Sequence, residues 1–274
     1  MPIRRMVFAS PRLLRLSAGC LLLNGALLGA TDAEVRRSAS DEADALVRQG
    51  MAAQDHFEPK AALPFFLRAE ALKPNDPFIL REISKQYSDS TLGSQDAEVN
   101  RHCIEQALDY TKRAVALDPK NAVGVLSLAV CYGKLGLYAD ARDKVGYARM
   151  VKQYALEAIE LDPSYAYAHH VLGRWNYEVA GLGRTKRFLV KLIYGGLPDA
   201  SFEEAVRQLQ RAVELDPNVM AHRLELGFAY LNDGRDAEAR ACFQQVLTMP
   251  KRELYDDECF ARAHEGLARL DAAK

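Results

Sequence analysis

Apolar positions along this chain recur at three- and four-residue spacing, in runs long enough for helices, and polar clusters separate the runs. No convincing stretch alternates apolar and polar residues as a strand would. One helix end is written four times. Ala-Glu-Ala-Leu-Lys-Pro ends at Pro74, Ala-Val-Ala-Leu-Asp-Pro at Pro119, Ala-Ile-Glu-Leu-Asp-Pro at Pro163 and Ala-Val-Glu-Leu-Asp-Pro at Pro217. Proline has no N–H and pushes the residue before it out of the α conformation, so each phrase closes a helix. A recurring helix end of this kind marks stacked helix pairs. The pattern therefore predicts an all-α fold, a right-handed α-solenoid of five helix pairs with a C-terminal capping helix. Such arrays bury one continuous core between neighbours and present a concave surface that binds other molecules.

The unit resembles the tetratricopeptide repeat, a helix-turn-helix of about 34 residues. Small residues let its two helices approach closely, and large ones fill the gaps. The first unit offers Gly50, Ala62, Phe66, Ala69 and Pro74. The second offers Leu80, Ser84, Tyr87, Ala107, Ala114 and Pro119, with about eleven extra residues around the polar Ser90–Asn100 stretch. The third has Ala129, Tyr132, Ala155, Ala158 and Pro163. The fourth has Leu172, Gly173, Trp175, Ala205, Leu209, Ala212 and Pro217, and the largest insert. The fifth has Leu226, Gly227, Tyr230, Gly234, Ala239, Phe243 and Pro250. The organisation read from this is a targeting segment at 1–30, a linker at 31–42 and the solenoid at 43–274. Its units span about 43–76, 77–121, 122–165, 166–219 and 220–252, with the cap at 253–272. Gly50, Gly173, Trp175, Ala205, Gly227 and Tyr230 are the expected packing positions.

The front of the chain differs from the rest. Arg4, Arg5, Arg12 and Arg15 precede an uncharged run from Leu16 to Ala30, and no acid appears before Asp32. A basic start, a short apolar run and small residues before a cleavage position at Ala30 or Ala33 read as a secretion signal. An exported, periplasmic or secreted location follows. A lipoprotein box at Cys20, a mitochondrial presequence and an uncleaved membrane anchor are the alternatives. Formal net charge over 274 residues is -1, so bulk electrostatics give no pull toward nucleic acid or acidic lipid. No cysteine pair is spaced as CxxC, and lone helical cysteines act as small buried hydrophobes.

The fourth unit carries a more specific block: Leu172-Gly173-Arg174-Trp175, then Val179-Ala180-Gly181-Leu182, a basic insert, Gly196, Pro198, Ser201 and Glu204-Ala205. It resembles the regulator of microtubule dynamics family, and the resemblance runs from about Asp41 into the cap. It implies an adaptor or contact-site protein without catalytic apparatus, named in animals for microtubule association. One animal branch binds and transfers phospholipid. The signal-like front end departs from the animal pattern and points to a bacterial-type, exported member, for which tubulin is no partner. Microtubules are expected as partners only if the chain is eukaryotic and faces the cytosol.

Two sets of side chains are candidates for binding. On the first helix of each unit the groove-facing positions are Phe78, Arg81, Lys85 and Ser88, then Val123, Leu126, Val130 and Gly133, then Tyr167, His170, Arg174 and Tyr177, then Ala221, Leu224, Phe228 and Leu231. Apolar strips beside Arg81, Lys85 and Arg174 suit a partner protein or peptide with a carboxylate. They equally suit a phospholipid, with its tails on Leu126, Val130 and Phe228. The plainer reading pairs the cations with Glu178 and Glu225. The second set is the insert, where Arg184, Lys186, Arg187 and Lys191 accompany Phe188, Leu189, Val190, Leu192 and Ile193. A basic amphipathic helix can meet an anionic membrane or a partner, and the plainer expectation is that its apolar side packs on the array. His169 and His170 point about 100° apart on a helix and cannot share a metal ion. No nucleophile elbow, phosphate loop or zinc-protease motif is present, so neither an enzyme nor a cofactor is expected, and no nucleic acid partner.

Overall fold

The computed structural model describes residues 32–272. The signal-like segment 1–30 lies outside the described residues. By its internal packing the chain divides at Ser38 and Ala39, and the architecture that follows is that of the second unit.

The helices are α1 (Asp32–Asp55), α2 (Pro59–Leu72), α3 (Pro77–Asp89), α4 (Ala97–Leu117), α5 (Ala122–Leu135), α6 (Ala141–Leu161), α7 (Ala166–Ala180), α8 (Gly183–Tyr194), α9 (Phe202–Leu215), α10 (Met220–Asn232), α11 (Asp236–Val246) and α12 (Asp256–Ala272). No strand occurs among the described residues. Each of the hairpins α3–α4, α5–α6, α7–α9 and α10–α11 packs on the next, and α12 lies on α10 and α11. This is an all-α solenoid.

The repeated phrase explains how its helices end. In α2, α4, α6 and α9 the first alanine of the phrase lies one turn before the end, at Ala69, Ala114, Ala158 and Ala212. The residue before proline leaves the helix, and its N–H donates back to that alanine's carbonyl at 2.9–3.0 Å. The same four alanines are at most 4% exposed, so one residue type closes the helix and lets its neighbour approach. Helix starts are capped where the sequence supplies a carboxylate or amide. Asp76, Asp96, Asn121 and Asp140 each accept from N–H groups of the first turn.

The glycines expected at close approaches are there. A Cβ on Gly50 would stand 2.7 Å from the Phe66 ring, one on Gly173 2.6 Å from Leu209 Cγ, and one on Gly227 2.7 Å from the Phe243 ring. Ala205 is fully buried against the same stretch of α7. Trp175 is 5% exposed and donates its indole N–H to the Ala148 carbonyl at 2.6 Å. Tyr230 lies in the last core cluster with its hydroxyl 2.8 Å from Gln210. Cys131, Cys242 and Cys259 are buried, and burial pushes the thiols of Cys242 up to about 11 and Cys259 up to about 12, so they stay protonated.

Three elements differ from the sequence expectation. Residues expected as a linker at 31–42 are helical from Asp32, because AEVRRSASDEADALVR contains strong helix formers and neither Gly nor Pro. The cap starts at Asp256, after a short non-helical strap from Lys251 to Tyr255. The insert α8 is a helix, but its apolar side does not pack on the array: Phe188 is 65%, Leu192 71% and Ile193 62% exposed. It is fastened at its C-terminal end instead. Gly195 and Gly196 take left-handed φ of 78° and 87°, and the carbonyl of Gly196 accepts from the Arg149 guanidinium of α6 at 2.6 Å.

Candidate functional site

The first helices of successive units, α3, α5, α7 and α10, line the concave face. At its near end Arg81 lies 5.1 Å over the Phe78 ring and pairs with Glu82 at 3.2 Å. One turn on, Lys85 pairs with Asp89 at 2.8 Å. Asp89 is 8% exposed and also accepts the Tyr255 hydroxyl at 2.9 Å. That hydroxyl accepts in turn from Lys134 of α5 at 3.0 Å. Tyr255 belongs to the strap before α12, so the strap reaches across α3 and α5. Its Glu253 carboxylate accepts from the Tyr167 hydroxyl of α7. The buried Asp256 holds the strap's turn by accepting from the N–H groups of Arg252 and Glu253 at 2.7 and 2.8 Å. Part of the groove is thus filled by the chain's own strap.

At the far end a carboxylate that the sequence offered only as a partner proves central. Glu225 of α10 is 2% exposed and is reached by three groups. Arg262 of α12 donates to it at 2.6 Å, Tyr177 at 2.8 Å, and Arg174 stands 3.8 Å away while donating to Glu178 at 2.9 Å. Burial alone would raise the Glu225 carboxyl, but Arg174 and Arg262 outweigh it and hold it below the ordinary carboxylate range. Burial and the Glu225 charge push the Tyr177 phenol well up, so it stays a donor. Solvent still reaches 48% of the Arg174 side chain, as befits the floor of a concavity.

Beside this cluster His170 of α7 and His222 of α10 face each other, Nδ1 to Nδ1 at 3.1 Å. One ring must donate and the other accept, so the two cannot both be protonated. Burial lowers His170 to about 4, and burial together with His170 lowers His222 to about 2. His169 turns the other way, to Gln208 of α9 at 2.6 Å.

Phe228 and Leu126, expected on the groove surface, are core residues, 6% and 3% exposed. For Phe228 the reason is α12: its Arg262 and Arg269 guanidiniums lie 5.0 and 5.9 Å over the ring. Of the strip proposed for lipid tails, Val130 of α5 alone stays exposed. Two open clefts adjoin these residues. One, of about 340 Å³, is lined by Tyr177, Glu178, Lys186, Arg262, Glu265 and Arg269 among others. The other, of about 270 Å³, lies between Phe57, Lys85, Gln86, Asp89 and the strap residues Arg252 and Glu253. Phe57 stands at its mouth with a left-handed φ of 61°, a conformation non-glycine residues seldom adopt. Of the insert's cations, Lys186 and Lys191 are exposed, and the side chains of Arg184 and Arg187 lie outside the described residues.

Periodicity found Arg174, Tyr177 and Lys85. It could not find Lys134, Glu253, Tyr255 or Arg262, which meet the same face through Asp89, Tyr167 and Glu225, since these come from a helix end, a linker and the cap, far along the chain.

The family described as Regulator of microtubule dynamics protein 1-3 matches residues 39–271, from within α1 to within α12. The chain belongs to that family. Regulator of microtubule dynamics protein 1 of Bos taurus is 31% identical over 141 residues, 51% of this chain and 44% of that protein. Regulator of microtubule dynamics protein 3 of Xenopus laevis is 25% identical over 189 residues, 69% of this chain and 41% of that protein. The chain spans less than half the length of these relatives. Among solved structures, a thermophilic tetratricopeptide-repeat protein of Thermus thermophilus, TTC0263, matches with a TM-score of 0.60 and 23% identity, over 82% of this chain and 99% of that one. The likeness is one of fold. In this family member the block that carried the resemblance is architectural: Leu172, Gly173 and Trp175 pack α7 on its neighbours, and Gly196 turns the chain out of α8.

Proposed function

We propose that this chain is a non-catalytic scaffold whose concave face takes an extended peptide segment of a partner protein. The observation that carries the reading is the strap. Lys251–Tyr255 is a non-helical stretch of the chain's own sequence, and side chains from three different units hold it through Asp89, Lys134 and Tyr167. A surface that orders one non-helical segment by side-chain hydrogen bonds has the means to order another. Arg262 and Arg269 at the larger cleft favour a partner carboxylate there, balanced by Glu178 and Glu265. The relatives' name makes a cytoskeletal partner the expectation only if the chain meets the cytosol; the signal-like front end argues for a different protein. The lipid alternative uses the same groove, and it is the weaker one because arginines cover the aromatic ring its tails would need.

The test uses a chain in which Lys251–Tyr255 is replaced by a glycine-serine linker of equal length, with a fluorescent peptide of residues 250–256 added in trans. The peptide should bind, measured by anisotropy, and Lys134→Met should weaken it about tenfold, the loss of one charge-assisted hydrogen bond. The unaltered chain should bind it less well, since its tethered strap competes at high effective concentration. A linker variant that melts cooperatively yet ignores the peptide at millimolar concentration would overturn the reading.

A further inference from the structure

The helix α8 meets the groove only at its N-terminal end, where Lys186 lines the larger cleft. Its sequence, GRTKRFLVKLIY, carries four cations and no acid. Its backbone is fastened to α6 at one end, through Arg149, and Val190 and Tyr194 are its half-buried positions. Its other described side chains are exposed. Phe188, Leu189, Leu192 and Ile193, at 65, 46, 71 and 62% exposure, stand at three- and four-residue spacings and so share one face. At 100° per residue they fill an arc of roughly 140°. Lys186 borders that arc on the side of Leu189 and Ile193, and Lys191 borders it on the side of Phe188.

This order of residues around the helix selects an occupant. A core-packing face would be buried, and this one is open. A helix docked on another protein commonly meets carboxylates as well as apolar groups. Here an acid-free helix has an apolar centre and lysines at both edges, which matches a surface with the same layering: hydrocarbon beneath a plane of phosphates. The aliphatic stems of Lys186 and Lys191 can lie along the hydrocarbon while their ammonium groups reach outward to the phosphates. The protein's net charge of -1 supplies no general attraction, so any preference for anionic lipid must come from such a local patch.

We propose that α8 is a membrane-surface helix, which lies flat in the headgroup region of an anionic bilayer with Phe188, Leu189, Leu192 and Ile193 toward the acyl chains. With twelve residues it is far too short to span. It tethers the array by one edge and leaves the concave face free to hold a partner.

The experiment is flotation of the full chain with vesicles of phosphatidylcholine alone and of phosphatidylcholine with phosphatidylglycerol. The chain should float with the anionic vesicles. The pair Phe188→Asp and Leu192→Asp should abolish flotation, and Lys186→Glu with Lys191→Glu should weaken it more than tenfold, at roughly fivefold or more per charge removed. The melting curves of both variants should match the parent, because the substituted positions are exposed. Flotation that is indifferent to these substitutions or to the headgroup would overturn the proposal and place membrane contact elsewhere in the chain. Absence of flotation, together with a dimer that Phe188→Asp and Leu192→Asp break, would also overturn it and assign the face to a second copy.

Discussion

The far end of the groove and the helix α8 both combine apolar side chains with arginine or lysine, yet they hold them in opposite states. Around Glu225 three helices converge, so Arg174, Arg262 and Tyr177 share one buried carboxylate and Phe228 disappears beneath two guanidiniums. On α8, which touches the array along one edge, Phe188, Leu192 and Ile193 stay in solvent. The difference lies in the number of neighbouring elements. A cation in a concavity is surrounded by chain that can supply a counter-charge, whereas an insert on the outside has no such surroundings. Candidate residues of one composition therefore become internal scaffolding in one place and an open surface in the other.

The strongest way to break this contrast is to push α7 off its partner. Gly173→Leu forces side-chain carbons against Leu209, already 2.6 Å from a Cβ, and against the Ala205 carbonyl at 3.2 Å. It should cost about 3 kcal/mol by overpacking, read as a lower urea midpoint. An unchanged midpoint would mean that the close approach of α7 and α9 is wrong. Glu225→Ala is next. Breaking a buried ion pair from one side costs about 3–5 kcal/mol, but Arg174 and Arg262 keep 48% and 26% exposure and can be hydrated, so about 2–3 kcal/mol is expected. A loss under about 0.5 kcal/mol, the scale of a surface substitution, would move Glu225 to the rim.

Acid sharpens the comparison without a substitution. His170 and His222 have folded pKa values of about 4 and about 2, below the unfolded value near 6.5. Between pH 6.5 and 4 the unfolded chain therefore binds more protons than the folded one, and stability falls as pH falls, by at most about 1.4 kcal/mol per pH unit for each histidine. Glu225, lowered from its ordinary range, adds its own loss only at more acid pH. Urea midpoints at pH 7.5 and 5 should differ in the parent and differ by about half as much in His222→Gln, where the buried His170 remains; a parent indifferent to this pH step would show that the pair is solvated. The α8 variants lie at the small end of the scale, within about 0.5 kcal/mol of the parent, because exposed positions contribute little to folding.

Much of the fold was legible. Proline and the alanine one turn before the helix end write the ends of α2, α4, α6 and α9 into the sequence, and Gly50, Gly173 and Gly227 mark the tight crossings, because these are local or nearest-neighbour constraints. The helical start at Asp32 was legible too, in the helix formers ahead of Asp44, but the expected signal and linker obscured it. The groove was legible only in outline. Helical periodicity placed Lys85, Tyr167 and Arg174 on one face. It could not place Tyr255 beside Asp89, or Arg262 beside Arg174, because no local rule links residues so far apart.

By itself, the sequence determined the helices, their ends, their order and the small residues that let them stack, since each follows from backbone chemistry and side-chain volume within one or two turns. Only the tertiary structure decided which charges meet, that the strap enters the groove and that α8 keeps its apolar face outward. Those outcomes depend on which distant segments share a volume, and thus on whether a given side chain meets a counter-charge, another hydrophobe or water.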